Sequence, residues 1–180
     1  MHSSGVLLNL QALPVMTKQG RVLPTDPRFT RRYFLFYFSA HWCPPCRAFT
    51  PKLAAFYERN KATHNFEVLF ITLDKDQASF DEYFKSMPDW LAMEFDSEIT
   101  RNRLAKEMGV EVIPTLIVLD RKGMVVTRAG KYMVEKDPTG ANFPWMDATE
   151  PPSKFTAVLA AVVVIVILGC FLQYIGLFSV

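Results

Sequence analysis

Three cysteines and three histidines in 180 residues leave little material for a disulfide-stapled scaffold or a closed metal site. A secreted framework would want more cysteines. A structural zinc site built on one Cys-x-x-Cys pair would want two further ligands, and His2, His41 and His64 are too scattered to supply them as a pair, so no metal site is expected. Charge is equally sparse. The 20 basic and 18 acidic residues sum to +2, and the densest basic spot, Arg31-Arg32, is short, so no nucleic-acid partner is expected. The opening MHSSGVLLNLQALPVM lacks a basic start and a small-residue cleavage site, and Asn9, Gln11 and Pro14 interrupt its apolar residues. It does not read as a secretory leader, nor is it Arg-rich as a transit peptide would be. No internal repeat or low-complexity segment precedes residue 155.

Half of the residues are hydrophobic, and the excess is local. FTAVLAAVVVIVILGCFLQYIGLF, residues 155–178, carries no charge over about 24 positions, enough helical rise to cross a hydrocarbon core of about 30 Å. This predicts a transmembrane tail anchor with the membrane as a partner and the catalytic domain facing the cytosol. Lys154, just before the run, agrees with that orientation. The mitochondrial outer membrane and the endoplasmic reticulum are the two destinations it allows. The expected organisation is a domain over 1–147, a short linker over 148–154 and the anchor over 155–178. Cys170, inside the run, reads as an inert small hydrophobe.

What remains is one cysteine pair, Cys43 and Cys46, in SAHWCPPCRAF. A lone Cys-x-x-Cys reads as redox chemistry if its setting is right. YFLFYFSA, residues 33–40, has the length and continuous apolar character of a strand buried on both faces, and it runs straight into the cysteines. After them Phe49, Leu53, Phe56 and Tyr57 recur at helical spacing. Pro44 and Pro45 are tolerable in a first turn, where amide donors are unpaired anyway, and Pro51 falls inside the helix. FEVLFITLD at 66–74 predicts a second buried strand, and DQASFDEYFKSM a helix. EITRNRLAKEMGV predicts another helix, and VIPTLIVLD and GMVVTRAG two strands joined by a turn at DRKG. Strands alternating with helices and ending on a hairpin predict an α/β fold with a mixed sheet covered on both faces. Pro114 opens a strand, a poor ladder position, which places it at an edge or end, with a cis bond as one option.

The helix start lowers the pKa of Cys43 through the positive end of the helix dipole, with Arg47 as a further contributor. Cys43 is therefore the expected nucleophile, and Cys46, one turn on, the resolving thiol. Trp42 reads as an exposed lid or a core aromatic, Trp90 and Trp145 as core or docking aromatics. His41, two residues from Cys43, reads as a tuning imidazolium or a neutral loop residue.

FSAHWCPPCR, KSMPDWLAMEF, VIPTLIVLD and KDPTGANFPW together resemble the tryparedoxins, and more distantly the nucleoredoxins, over roughly Val6 to Asp147. The resemblance implies the thioredoxin fold. It implies a redox-active disulfide with no bound cofactor, trypanothione as reductant, and peroxiredoxins and other disulfide-bearing proteins as acceptors of a monomeric domain. It places Trp42, Pro44, Pro45, Ile113 and Pro114 at the partner-docking surface. Tyr37 stands where thioredoxins carry a buried aspartate, so the proton acceptor for Cys46 is not the usual carboxylate. Where tryparedoxins carry tryptophan followed by more acid, this chain reads Leu73, Asp74, Lys75, Asp76, and Lys75 weakens attraction for a polyamine. The competing readings are a nucleoredoxin-like binding module that senses redox state without turnover and a metal-binding scaffold on the two cysteines.

Overall fold

The computed structural model describes residues 10–146, 148–149 and the helical backbone of 154–174, with side chains of 161–171 in that last stretch. The strands are β1 (Val15–Thr17), β2 (Gly20–Arg21), β3 (Tyr33–Ser39), β4 (Phe66–Thr72), β5 (Leu91–Met93), β6 (Thr115–Asp120) and β7 (Val125–Thr127). The helices are α1 (Pro44–His64), α2 (Gln77–Ser86), α3 (Glu98–Glu107), α4 (Gly130–Lys136) and α5 (Lys154–Tyr174). The strands form one sheet in the order β2-β1-β5-β4-β3-β6-β7. β3 pairs in parallel with β4, and β4 with β5, while β6 and β7 close one side and β1 and β2 the other in antiparallel register.

Successive side chains of a strand point to opposite faces, and the two continuous apolar runs in mid-sheet therefore feed two cores. Leu35, Tyr37, Val68 and Phe70 face α1 and α2 through Phe49, Leu53, Phe80 and Tyr83. Phe34, Phe36, Phe38, Leu69 and Ile71 face the other way, onto Leu104 and Met108 of the α3 region. This is the mixed sheet covered on both faces that the sequence predicts. The sequence pattern does not reveal β1, β2, β5 or α4. Two- and three-residue strands are too short to display a period of two. β6 starts at Thr115 rather than at residue 112, because Pro114 has no amide to give to the ladder.

KDPTGANFPW turns out to be a structural clasp. Asp137 accepts the Ala141 amide at 3.0 Å, the Asn142 amide at 2.8 Å and the Trp145 indole at 2.9 Å. Burial pushes its carboxyl upward, but these bonds outweigh burial and hold it below the usual carboxylate range. Phe143 and Trp145 then pack on Phe56, and Phe143 also on Tyr33 and Phe66, at the starts of β3 and β4. Trp90 and Trp145 are thus core aromatics.

The tail-anchor expectation is corrected. Among the described residues no helix is long and apolar enough to cross a membrane. Residues 175–180 lie outside the described residues, as do residues 1–9 of the opening segment. The membrane as partner, and the cytosol-facing placement at a mitochondrial or reticulum surface, fall with the anchor. The chain divides into two compact units, Met1–Thr149 and Glu150–Val180.

Glu67 is a buried acid within the sheet. Its Oε1 accepts the Tyr57 hydroxyl at 2.8 Å, and burial raises its pKa despite that bond, the Val68 amide and the more distant Arg28 and Arg31. A carboxyl raised on folding contributes stability that is fully present below its unfolded pKa of ~4.3 and is lost as pH rises through the higher folded value. Glu67→Gln keeps an acceptor for Tyr57 and removes the buried charge. We expect urea midpoints of the variant to be flatter between pH 4.5 and 8 and higher at pH 7, on the order of 1 kcal/mol. A wild-type profile that rises over that range would show the carboxylate to be favourably held instead.

Candidate active site

The end of β3 and the start of α1 place the two cysteines across the first helical turn, joined as a disulfide with Cα atoms 5.2 Å apart. Cys43 is the N-cap in extended conformation, and its Sγ accepts the Cys46 amide at 3.3 Å. The proline pair fits because the first helical amides have no intrahelical partner, so Pro44 and Pro45 cost no hydrogen bond there. Cys46 is fully buried, and Cys43 retains the pair's small exposure of 4%. Attack on the pair therefore has one approach, through Cys43. On reduction, a thiolate at that position would meet the partial positive charge of a 21-residue helix.

The surroundings bring most of the predicted site residues together. Ala40, Cys43 and Cys46 form a small apolar cluster with Leu73 and Ile113 packed against it. The Ile113–Pro114 bond is cis, and the Ile113 carbonyl oxygen lies 3.9 Å from Cys43 Sγ. Trp42 is 57% exposed and tethered by its indole, which donates to the Leu73 carbonyl at 3.3 Å. Trp42 is thus an exposed side chain and not a core aromatic. Pro44 and Pro45 are exposed on the same turn.

Two predicted tuning residues are occupied elsewhere. The Arg47 guanidinium donates to the His41 carbonyl and so clasps the loop before the cysteines. The His41 ring stacks on Tyr83 at 5.5 Å, its Nδ1 lies 3.9 Å from Glu82, and its amide donates to Asp74 Oδ1 at 2.8 Å.

Beneath the disulfide lies a hydroxyl cluster. Tyr37 shares a hydrogen bond with Thr50 at 2.8 Å and accepts one from Ser39 at 2.9 Å, while Tyr83 joins both Thr50 and Ser39. Tyr37 and Thr50 also donate to the Cys46 carbonyl, at 3.4 and 3.0 Å. Burial, and then the neighbouring Tyr83, push the Tyr37 phenol far above its ordinary range, so it remains a neutral donor at working pH. Sequence reasoning missed Ser39, Thr50 and Tyr83 as parts of the site. Thr50 was findable, since it stands four residues after Cys46 and shares its helix face. Asp74, which accepts the Thr72 hydroxyl at 2.8 Å as well as the His41 amide, carried no local signal. Among the described residues no group of three or more His, Cys, Asp or Glu side chains could hold a metal ion.

A family model described as thioredoxin-like matches residues 31–125. Tryparedoxin of Trypanosoma brucei brucei is 49% identical over 110 residues, covering 61% of this chain and 76% of that protein. Human nucleoredoxin is 47% identical over 110 residues, which is only 25% of its own length. Among solved structures, tryparedoxin I from Leishmania major superposes with a TM-score of 0.71 at 37% identity, covering 77% of this chain and 94% of the other. Tryparedoxin II complexed with glutathionylspermidine gives a TM-score of 0.71 at 36% identity, covering 76% and 94%.

Proposed function

This chain belongs to the thioredoxin-like family, as an oxidoreductase related to tryparedoxin and nucleoredoxin, and from that premise we propose that it is a protein-disulfide reductase of tryparedoxin type. The observation that carries the reading is the asymmetry of the pair, with Cys43 capping α1 at the surface and Cys46 wholly buried behind it. In the reduced protein the Cys43 thiolate attacks one sulfur of a substrate disulfide. The substrate S–S bond breaks, its other sulfur leaves as a thiolate and takes a proton from water, and a mixed disulfide remains on Cys43. Cys46 gives up its thiol proton to solvent and its Sγ attacks Cys43 Sγ; the Cys43–substrate S–S bond breaks, the substrate sulfur leaves as a thiolate and is protonated, and the protein is left as the Cys43–Cys46 disulfide. Two electrons have passed to the substrate. A small dithiol reverses the sequence and is itself oxidised to a disulfide.

Trypanothione is the dithiol this reading assigns, supported by a relative whose structure holds glutathionylspermidine. Peroxiredoxin-type and other disulfide proteins are the acceptors. Trp42, Pro44, Pro45, Ile113 and Pro114 would receive them, since they surround Cys43 and Trp42 is exposed. The domain would occupy residues 1–147 and act as a monomer, with 148–154 as a short linker.

The full chain should consume NADPH in the presence of trypanothione, trypanothione reductase and a peroxiredoxin with its hydroperoxide, faster than with glutathione or thioredoxin systems. Turnover confined to a rival system would keep the oxidoreductase and overturn its reductant. The second reading, a redox-sensitive binding module, draws on the 47% identity with human nucleoredoxin. Capture of partners with no turnover under any donor would favour it.

A further inference from the structure

α3 carries a buried cation that the redox mechanism does not use. Arg101 is 3% exposed, its Nη1 donates to the Thr72 carbonyl at 3.1 Å, and its guanidinium lies over the Phe95 ring at 4.7 Å. Its Nε is buried and has no hydrogen-bond partner, and no ion pair forms on it among the described residues. A guanidinium offers five donors; burial lowers the pKa of this one, Glu98, Asp74 and Asp96 favour its charge from nearby, and none of the three hydrogen-bonds it among the described residues. Asp74 directs its hydrogen bonds to the His41 amide and the Thr72 hydroxyl.

Arg101 also lines a cavity of about 310 Å³, at the small end of ligand pockets. Leu73, Asp74 and Lys75 form one wall, and Phe95, Glu98 and Arg101 the other. Lys75 and Glu98 are exposed at the rim, whereas Arg101 is the buried cation. Leu73 belongs to both places. Its side chain packs on the Cys43–Cys46 cluster, and its carbonyl holds the Trp42 indole. A ligand held in the cavity would therefore lie beside Leu73, which itself contacts the disulfide cluster.

We propose that this cavity is a subsite for the α-amino-acid end of a small peptidyl thiol, its carboxylate on the Arg101 guanidinium and its ammonium toward Glu98. The proposal rests on the oxidoreductase reading and adds to it a recognition element one residue removed from the disulfide. A planar carboxylate matches the guanidinium fork and supplies the missing acceptor for Nε.

The test reduces the oxidised full chain with glutathione or with its diethyl ester, followed by tryptophan fluorescence and compared per thiolate. Two glutathione thiols become one glutathione disulfide as the protein disulfide takes up two electrons and two protons. The acid should be faster than the ester by roughly tenfold, and Arg101→Gln should bring the ratio close to one. S-methylglutathione, which has no thiol, should slow the acid in competition and shift the Arg101 Nε–H resonance of the wild-type protein. Equal rates for acid and ester, a preference retained in Arg101→Gln, or an unmoved resonance would each overturn the subsite. The wild-type comparison and the resonance decide the matter even if the variant does not fold. Uncharged dithiothreitol separates the two levels. If it reduces the pair while glutathione has no advantage over its ester, only the subsite fails; if it does not, the oxidoreductase reading fails too.

Discussion

Cys46→Ser will accumulate proteins bound to Cys43 as mixed disulfides, visible by non-reducing electrophoresis, and Cys43→Ser will accumulate none. Both substitutions should lower catalytic turnover by roughly a thousandfold or more, because neither thiol can finish the cycle alone. The asymmetry follows from position. Cys43 carries the pair's only exposure and sits on the N-terminus of α1, while Cys46 is enclosed by the helix and by Thr50 beneath it. Removing Cys46 leaves the first attack intact and deletes the thiol that releases the product. Removing Cys43 leaves a thiol that a protein disulfide cannot reach. Equal trapping by the two variants would mean that the loop around Trp42 opens far enough to expose Cys46, and the assigned order of attack would be wrong.

The placement of the cysteine pair was legible in the sequence because it depends on local structure. An aromatic strand running into Cys-Pro-Pro-Cys and a helical repeat after it suffice to place Cys43 on a helix start. The sheet's antiparallel rim was only partly legible. β5, with Leu91, Ala92 and Met93, is a strand because β4 and β1 flank it, and three residues announce nothing by themselves. The hydroxyl cluster was illegible for a related reason. Ser39, Thr50 and Tyr83 come from a strand and two helices, and only the packing of α1 and α2 on one sheet face brings their oxygens together. Arg101 looked like one more charge on a polar helix. Its burial depends on the end of β4 and on Phe95, neither of which its own neighbourhood in the sequence reveals. The C-terminal apolar run misled in the opposite sense, since an uncharged stretch carried the anchor expectation that the described helix does not support.

Trp90→Ala should be the most destabilising single change in the fold, by about 3–5 kcal/mol, measured as a fall in the urea midpoint at constant m-value. Trp90 is fully buried, and its ring meets Tyr37 and Tyr57 edge-on at 6.3 and 5.6 Å. Truncation would empty the space that holds Tyr37 upright under Cys46 and Tyr57 against Glu67. The variant should therefore lose order at the redox site as well as stability, with slower release of trapped partners in the otherwise intact dithiol. Trp90→Phe is the informative companion. The indole Nε1 is buried and has no hydrogen-bond partner, so phenylalanine gives up ring volume but also removes an unsatisfied donor whose burial costs roughly 1–3 kcal/mol. The two effects oppose each other, and the phenylalanine variant should fall within about 1.5 kcal/mol of wild type. A loss in Trp90→Phe as large as in Trp90→Ala would show that the indole nitrogen is bonded in solution, and that the core beneath the disulfide owes its stability to that bond rather than to the area the ring buries.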